Sequence, residues 1–116
     1  MKVKRIVSNI KTQDVKAAQA FYRDILDLEL LMDHGWIATY GSHELMEVQI
    51  SFAEEGGSGT PVPDLSIEVD DLDAVLERIR RANIPLEYGP AIEPWGVRRF
   101  YVRDAFGRLV NILAHD

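Results

Sequence analysis

The chain has 116 residues, 47% apolar and 28% charged, with no cysteine and a net charge of −6. That length supports one domain with a core that needs no staples, and the missing cysteines exclude disulfides, a thiol nucleophile and cysteine-ligated zinc or iron–sulfur centres. The charge is evenly spread, 9 acids to 6 bases through Gly57 and 10 to 7 after it, which disfavours a nucleic-acid partner.

No apolar run approaches the ~20 residues that span a bilayer, and the start MKVKRIVSNI lacks the apolar stretch of a signal peptide. A cytoplasmic location without a membrane partner is therefore expected. In chain order, Val3 to Ile10 reads as a strand. Thr12 to Asp14 turns, with Asp14 as N-cap of a helix to about Leu26 striped by Val15, Ala18, Tyr22, Ile25 and Leu26. Leu28–Met32, Trp36–Tyr40 and Leu45–Phe52 follow as strands separated by short turns at Asp33-His34-Gly35 and Gly41-Ser42-His43. The stretch 53–63, AEEGGSGTPVP, reads as a linker.

The second half repeats the first. Asp64–Asp70 is a strand, Asp70 or Asp71 caps a helix to about Asn83 striped by Leu72, Val75, Leu76 and Ile79, and Pro85 stops it. The arginines at 78, 80 and 81 read as its solvated face. A strand begins at Leu86 and reaches Tyr88 or Ile92. Then comes EPWGVRRFYVRDAFGRLVNILAH, two strands back to back: Val97–Arg103, a turn in which Gly107 supplies a positive φ, and Leu109–Leu113. Phe100, Val102, Val110 and Ile112 face a core by period-two alternation. Arg99 and Tyr101 share the opposite face with Asn111, and Trp95 stands just upstream. An offset of 57 positions superposes Ile10 on Ile67, Asp14 on Asp71, Val15 on Leu72 and Ala18 on Val75. The architecture read from this is α+β: two tandem βαβββ modules, 1–52 and 64–116, in one domain with a curled mixed sheet.

The segments DVKAAQAFYRDILDLEL, SIEVDDLDAVLERIRRANI and EPWGVRRFYVRDAFGRLVNIL together resemble the vicinal oxygen chelate superfamily, which holds glyoxalase I, bleomycin resistance proteins, fosfomycin resistance enzymes and extradiol dioxygenases. The resemblance covers nearly the whole chain. It implies modules curled into a cup around a ligand site, and a homodimer that shares modules or strands. It also locates four metal positions, which align with Val7, Glu47, Asp64 and Asn111. Valine cannot coordinate, neutral Asn111 stands where relatives carry a carboxylate, and Glu47 and Asp64 remain as candidate ligands for a divalent ion.

The resemblance therefore implies a metal-free protein that binds a small organic molecule, such as a drug or toxin, in its cup. The ligand-binding set would be Trp95, Trp36, Arg99, Tyr101, Glu47, Glu68 and Asn111, with no catalytic residue assigned. Trp95 and Trp36 would stack on a flat or cationic ligand or else pack in a core or dimer interface. Arg99 and Tyr101 would clamp an anionic group, or Arg99 would form an internal ion pair with Glu68 or Glu47. Glu47 with Asp64 or Glu68 would serve as an acid/base pair or neutralise the arginines. The alternative is a metal-dependent lyase, isomerase or dioxygenase. His34, His43 and His115 lack ligand spacing and read as surface residues, and phosphate-loop and nucleophile-elbow motifs are absent.

Overall fold

The computed structural model describes residues 8, 10, 12–44 and 52–115. The expected strands over Val3–Ile10 and Leu45–Phe52 lie almost wholly outside these, as do Val7 and Glu47.

The first helical segment departs from the single regular helix expected over 14–26. A 3-10 turn, Val15–Ala18, runs directly into a π turn, Gln19–Arg23. Asp14 occupies the cap position, but its carboxylate caps nothing; its backbone N–H is taken by Thr12 Oγ1 at 3.1 Å. The change of pitch has a packing reason. Phe21 and Tyr22 are neighbours in sequence, and an α-helix would point them about 100° apart. The wider π turn lets both be buried, with rings edge-to-face at 5.2 Å.

Two strands follow, β1 (Glu29–Asp33) and β2 (Ala38–Gly41), paired antiparallel with a register shift between Leu30 and Met32. They begin one and two residues later than the alternation suggested.

The second module is one βαβββ unit: β3 (Leu65–Glu68), α1 (Leu72–Arg81), β4 (Tyr88–Ile92), β5 (Val97–Arg103) and β6 (Leu109–His115). The sheet order is β3-β6-β5-β4, with β3 and β6 parallel and the remaining pairs antiparallel. Its elements follow from local chemistry. Asp71 caps α1 by accepting the Ala74 N–H at 3.1 Å, and Asn83, at φ +56, takes the left-handed position beyond the helix end. Replacing Asp71 by alanine is expected to cost about 1 kcal/mol in urea-induced unfolding.

Leu72, Val75, Leu76 and Ile79 form the buried stripe of α1. They pack on Phe100, Val102, Val110 and Ile112, all completely buried, and Phe21, Tyr22 and Ile25 of the first module join this core. Each such large side chain contributes about 1.5–3 kcal/mol by leaving water. Arg78 belongs to the same junction rather than to a purely solvated face: its Nη1 donates to Ile25 O at 3.0 Å and meets Asp27 at 2.6 Å. The fold is α+β, a curled mixed sheet with helices on one side.

Candidate functional site

On the face of the sheet away from α1, Arg99 is 4% exposed. Nε donates to Glu93 Oε1 at 3.2 Å, Nη1 to Gly56 O at 2.7 Å and to Tyr101 OH at 2.9 Å, and Nη2 to Gly57 O at 3.3 Å. Its guanidinium carbon lies 5.0, 5.1 and 5.4 Å from the ring centres of Tyr101, Trp95 and Tyr88. A buried cation needs this degree of pairing. Glu93 also accepts from Ser58 Oγ and Tyr88 OH, both at 2.5 Å. The Ser58 hydroxyl foremost, then Tyr88 and the Arg99 guanidinium, hold the Glu93 carboxyl below its ordinary value near 4.5.

The stretch expected to be a plain linker is therefore a strap across this face. Gly56 and Gly57 supply backbone carbonyls, Ser58 and Thr60 supply hydroxyls, and Thr60 Oγ1 meets Tyr101 OH at 2.9 Å. A Cβ on Gly57 would stand 2.7 Å from the Trp95 ring, and φ there is +86, so only glycine fits beneath the indole.

The ion-pair partner of Arg99 among the described residues is thus Glu93, not Glu68, while Glu47 lies outside the described residues. The tight turn Pro94-Trp95-Gly96, closed by Glu93 N–H to Val97 O at 2.8 Å, folds Glu93 back beside Arg99. Glu68 instead meets His115 at 3.0 Å, because β6 separates β3 from β5. His34, His43 and His115 are all exposed.

Of the superfamily's metal positions, Asp64 and Asn111 are among the described residues. Asp64 Oδ2 accepts the Leu109 N–H at 2.9 Å and Oδ1 stands 3.9 Å from Arg108. Asn111 is buried; its Nδ2 donates to Ser66 Oγ at 3.1 Å, while Oδ1 has no partner among the described residues. One carboxylate committed to a backbone amide and one neutral amide are a poor donor set for a hard cation. Among the described residues no cluster of three or more His, Asp or Glu could hold a metal.

A cavity of about 530 Å³ lies on the other side, between the first helical segment and the β1–β2 hairpin. Val15, Ala18 and Tyr22 form its helical wall. Ser8, Ile10 and Thr12 line it from the stretch before the helix, Trp36 to Tyr40 from the hairpin, and Leu65 and Phe106 close it from the second module. Of the ligand residues expected from sequence, Trp36 lines this cavity; it is 77% exposed and stacks on His34 at its mouth. Arg99, Tyr101 and Trp95 gather in the box on the opposite face.

The sequence pattern marks Tyr22 only as part of the helix stripe and gives no sign that Tyr22, Tyr40 and Phe106 line a cavity. The Tyr22 hydroxyl donates to Asp104 Oδ2 at 2.7 Å. Burial first, then Asp104, pushes the phenol well above its ordinary value, so it stays neutral.

Solved structures share this fold. TnmS3, an antibiotic binding protein from Streptomyces sp. CB03234, is 21% identical over 100% of this chain and 97% of that one, with a TM-score of 0.67. TioX from Micromonospora sp. ML1 is 18% identical over 96% and 95%, at 0.65. A glyoxalase/dioxygenase from Nostoc punctiforme is 20% identical over 99% and 91%, at 0.62. At such identities the likeness shows the fold alone, and no curated protein matches the chain. The family described as Glyoxalase-like domain matches residues 6–114, and with the βαβββ topology in place the chain belongs to that family, within the vicinal oxygen chelate superfamily.

Proposed function

We propose that this protein binds a small organic molecule, such as a drug or toxin, without a metal, as a cytoplasmic homodimer. The observation that carries the reading is the cavity of about 530 Å³, within the usual range for small-molecule sites and walled by aromatic and aliphatic side chains. The chemistry of Asp64 and Asn111 supports binding over metal-assisted turnover. TnmS3, described as an antibiotic binding protein, offers a precedent for the fold in such a role.

A second copy of the chain is the proposed partner. Leu30, Leu31 and Met32 on β1 and Ile92 and Trp95 near β4 are 37% to 79% exposed, and apolar surface of this kind is what association covers. No helix among the described residues is long and apolar enough to cross a membrane.

Elemental analysis of purified protein, paired with a thermal-shift panel of aromatic compounds, tests the reading. The expected result is no stoichiometric divalent metal and a raised unfolding temperature with some of the panel, since a ligand at 100 times its Kd adds about 2.7 kcal/mol. Stoichiometric metal that is lost on replacing Glu47 by glutamine would overturn it in favour of a metal-dependent lyase, isomerase or dioxygenase.

A further inference from the structure

We infer that Asp104, which does not itself line the cavity, is a positioning residue for the ligand site. It holds two aromatic walls, Tyr22 and Phe106, in one arrangement and so sets a preference for flat over globular ligands. The inference rests on the small-molecule reading above.

The cavity is half-open. Ser8 is exposed and Trp36, at the mouth, is 77% exposed, so enclosure does not decide which shapes are admitted. Selection falls to the walls that are held in place. Trp36 is braced only by its stack on His34, which is itself exposed. Tyr22 is buried, with its ring edge-to-face on Phe21 at 5.2 Å and 6.5 Å from that of Tyr40. Phe106 reaches the cavity from the second module, half-buried in the turn between β5 and β6.

One carboxylate joins these walls. Asp104 is 8% exposed. Its Oδ2 accepts the Tyr22 hydroxyl at 2.7 Å, and its Oδ1 accepts the N–H groups of Phe106 and Arg108 at 2.9 and 3.0 Å. Tyr22, Tyr40 and Phe106 all line the cavity. The contacts therefore run from Phe106 through Asp104 to Tyr22 and on to Tyr40, with Asp104 as the link behind the wall.

The chemistry of this link explains why it holds. A buried carboxylate is costly unless a counter-charge or several hydrogen bonds compensate it. The arginines that flank Asp104 are engaged elsewhere, Arg103 with Glu87 and Gly107 O, Arg108 with Asp64. Asp104 receives three neutral donors instead, and hydrogen bonds to an ionised acceptor are short, strong and directional. A ring pinned at its hydroxyl and packed at its edge presents itself at one angle. Aromatic contacts depend on that angle and on ring spacing. A flat ligand ring gains from walls fixed in this way, whereas a globular hydrocarbon of the same size gains only contact area.

The test pairs 2-naphthalenemethanol with 1-adamantanemethanol, which share a handle and a heavy-atom count but are flat and globular. Binding to the full-length protein is measured by isothermal titration calorimetry. The readout is the ratio of the two dissociation constants, which a general loss of stability does not move. Wild-type protein is expected to bind the flat probe at least about tenfold more tightly. Tyr22→Phe, which cuts the tie, should lower that preference by about three- to tenfold. Asp104→Asn should retain it, because the amide oxygen accepts the two turn N–H groups and the amide nitrogen donates to the Tyr22 oxygen. Asp71→Ala, a helix-cap change outside the cavity lining, is the stability control and should leave the preference unchanged.

A wild-type preference that is absent or reversed overturns the inference. So does a preference that survives Tyr22→Phe, one that falls as far in Asp104→Asn as in Tyr22→Phe, or one that falls equally in Asp71→Ala. In each of these cases small-molecule binding still stands. If neither probe binds the wild-type protein, the small-molecule reading falls and takes the inference with it.

Discussion

Replacing Arg99 by methionine is expected to lower the unfolding temperature by roughly 10 °C and to release the 53–63 strap. Methionine keeps much of the aliphatic stem but removes four hydrogen bonds, to Glu93, Gly56, Gly57 and Tyr101. It also leaves the Glu93 carboxylate buried beside two hydroxyls and no cation, and stripping one partner from a buried pair is among the largest single-residue effects. Trp95 is the reporter, because its ring lies 5.1 Å from the guanidinium carbon and directly over Gly57. Its emission should move to longer wavelength as the strap leaves. The double substitution Arg99→Met, Glu93→Gln should recover part of the loss, since it removes the unpaired charge as well as the pair. If Arg99→Met unfolds at the wild-type temperature, the box is not what holds the strap.

The same box gives a pH dependence whose sign follows from Glu93. Its carboxyl is held below the ordinary value near 4.5, so the folded state gains stability above that pH. The gain disappears as pH falls below 4.5 and through the lowered folded value. In wild-type protein the Trp95 signal should therefore shift under acid, in a step that Glu93→Gln lacks. A step that survives Glu93→Gln would assign the acid transition to another carboxylate.

Period-two alternation in 97–103 predicted which face of β5 meets the core, and Phe100 and Val102 occupy it. Parity also placed Arg99, Tyr101 and Asn111 together on the other face. What parity could not supply was the partner of Arg99, because two strands and a turn decide it. Glu93 lies six residues upstream, across Pro94-Trp95-Gly96, and a turn that tight is itself the signal that the two residues meet. The strap was unreadable for a different reason. Gly56 and Gly57 hold Arg99 through backbone carbonyls, and a glycine-rich run carries no side-chain pattern that distinguishes a clamp from a linker.

Helix pitch was equally hidden. Val15, Ala18, Tyr22 and Ile25 give the same stripe for an α-helix as for a 3-10 turn followed by a π turn. Only the adjacency of two large aromatics, Phe21 and Tyr22, hints that a wider turn is needed to bury both.

Asp104→Ala should be the most damaging change at the junction between the modules, costing roughly 3–5 kcal/mol. Asp104 is buried, and its two oxygens serve three donors. Oδ1 accepts the N–H groups of Phe106 and Arg108 at 2.9 and 3.0 Å, and Oδ2 accepts the Tyr22 hydroxyl at 2.7 Å. The first two shape the turn between β5 and β6; the third ties that turn to the first helical segment, 82 residues away in sequence. Tyr22→Phe breaks only the tie and leaves the turn's two bonds in place, so about 1.5–3 kcal/mol is expected from it. In the double mutant the tie cannot be lost twice, and its total should fall short of the sum by about the strength of that bond. The measurement is urea unfolding of the four proteins at neutral pH, with the slope of the transition compared as well as its midpoint. A simple sum would mean that the hydroxyl and the carboxylate act separately. An Asp104→Ala cost no larger than that of Tyr22→Phe would mean that the turn holds its shape through Gly107 and the strand pairing alone. The predicted shortfall instead makes one carboxylate the joint at which the core of the second module fixes the wall of the first module's cavity. On that outcome Tyr22→Phe should also weaken binding of an aromatic probe, because the phenol ring would no longer be held at one angle to it.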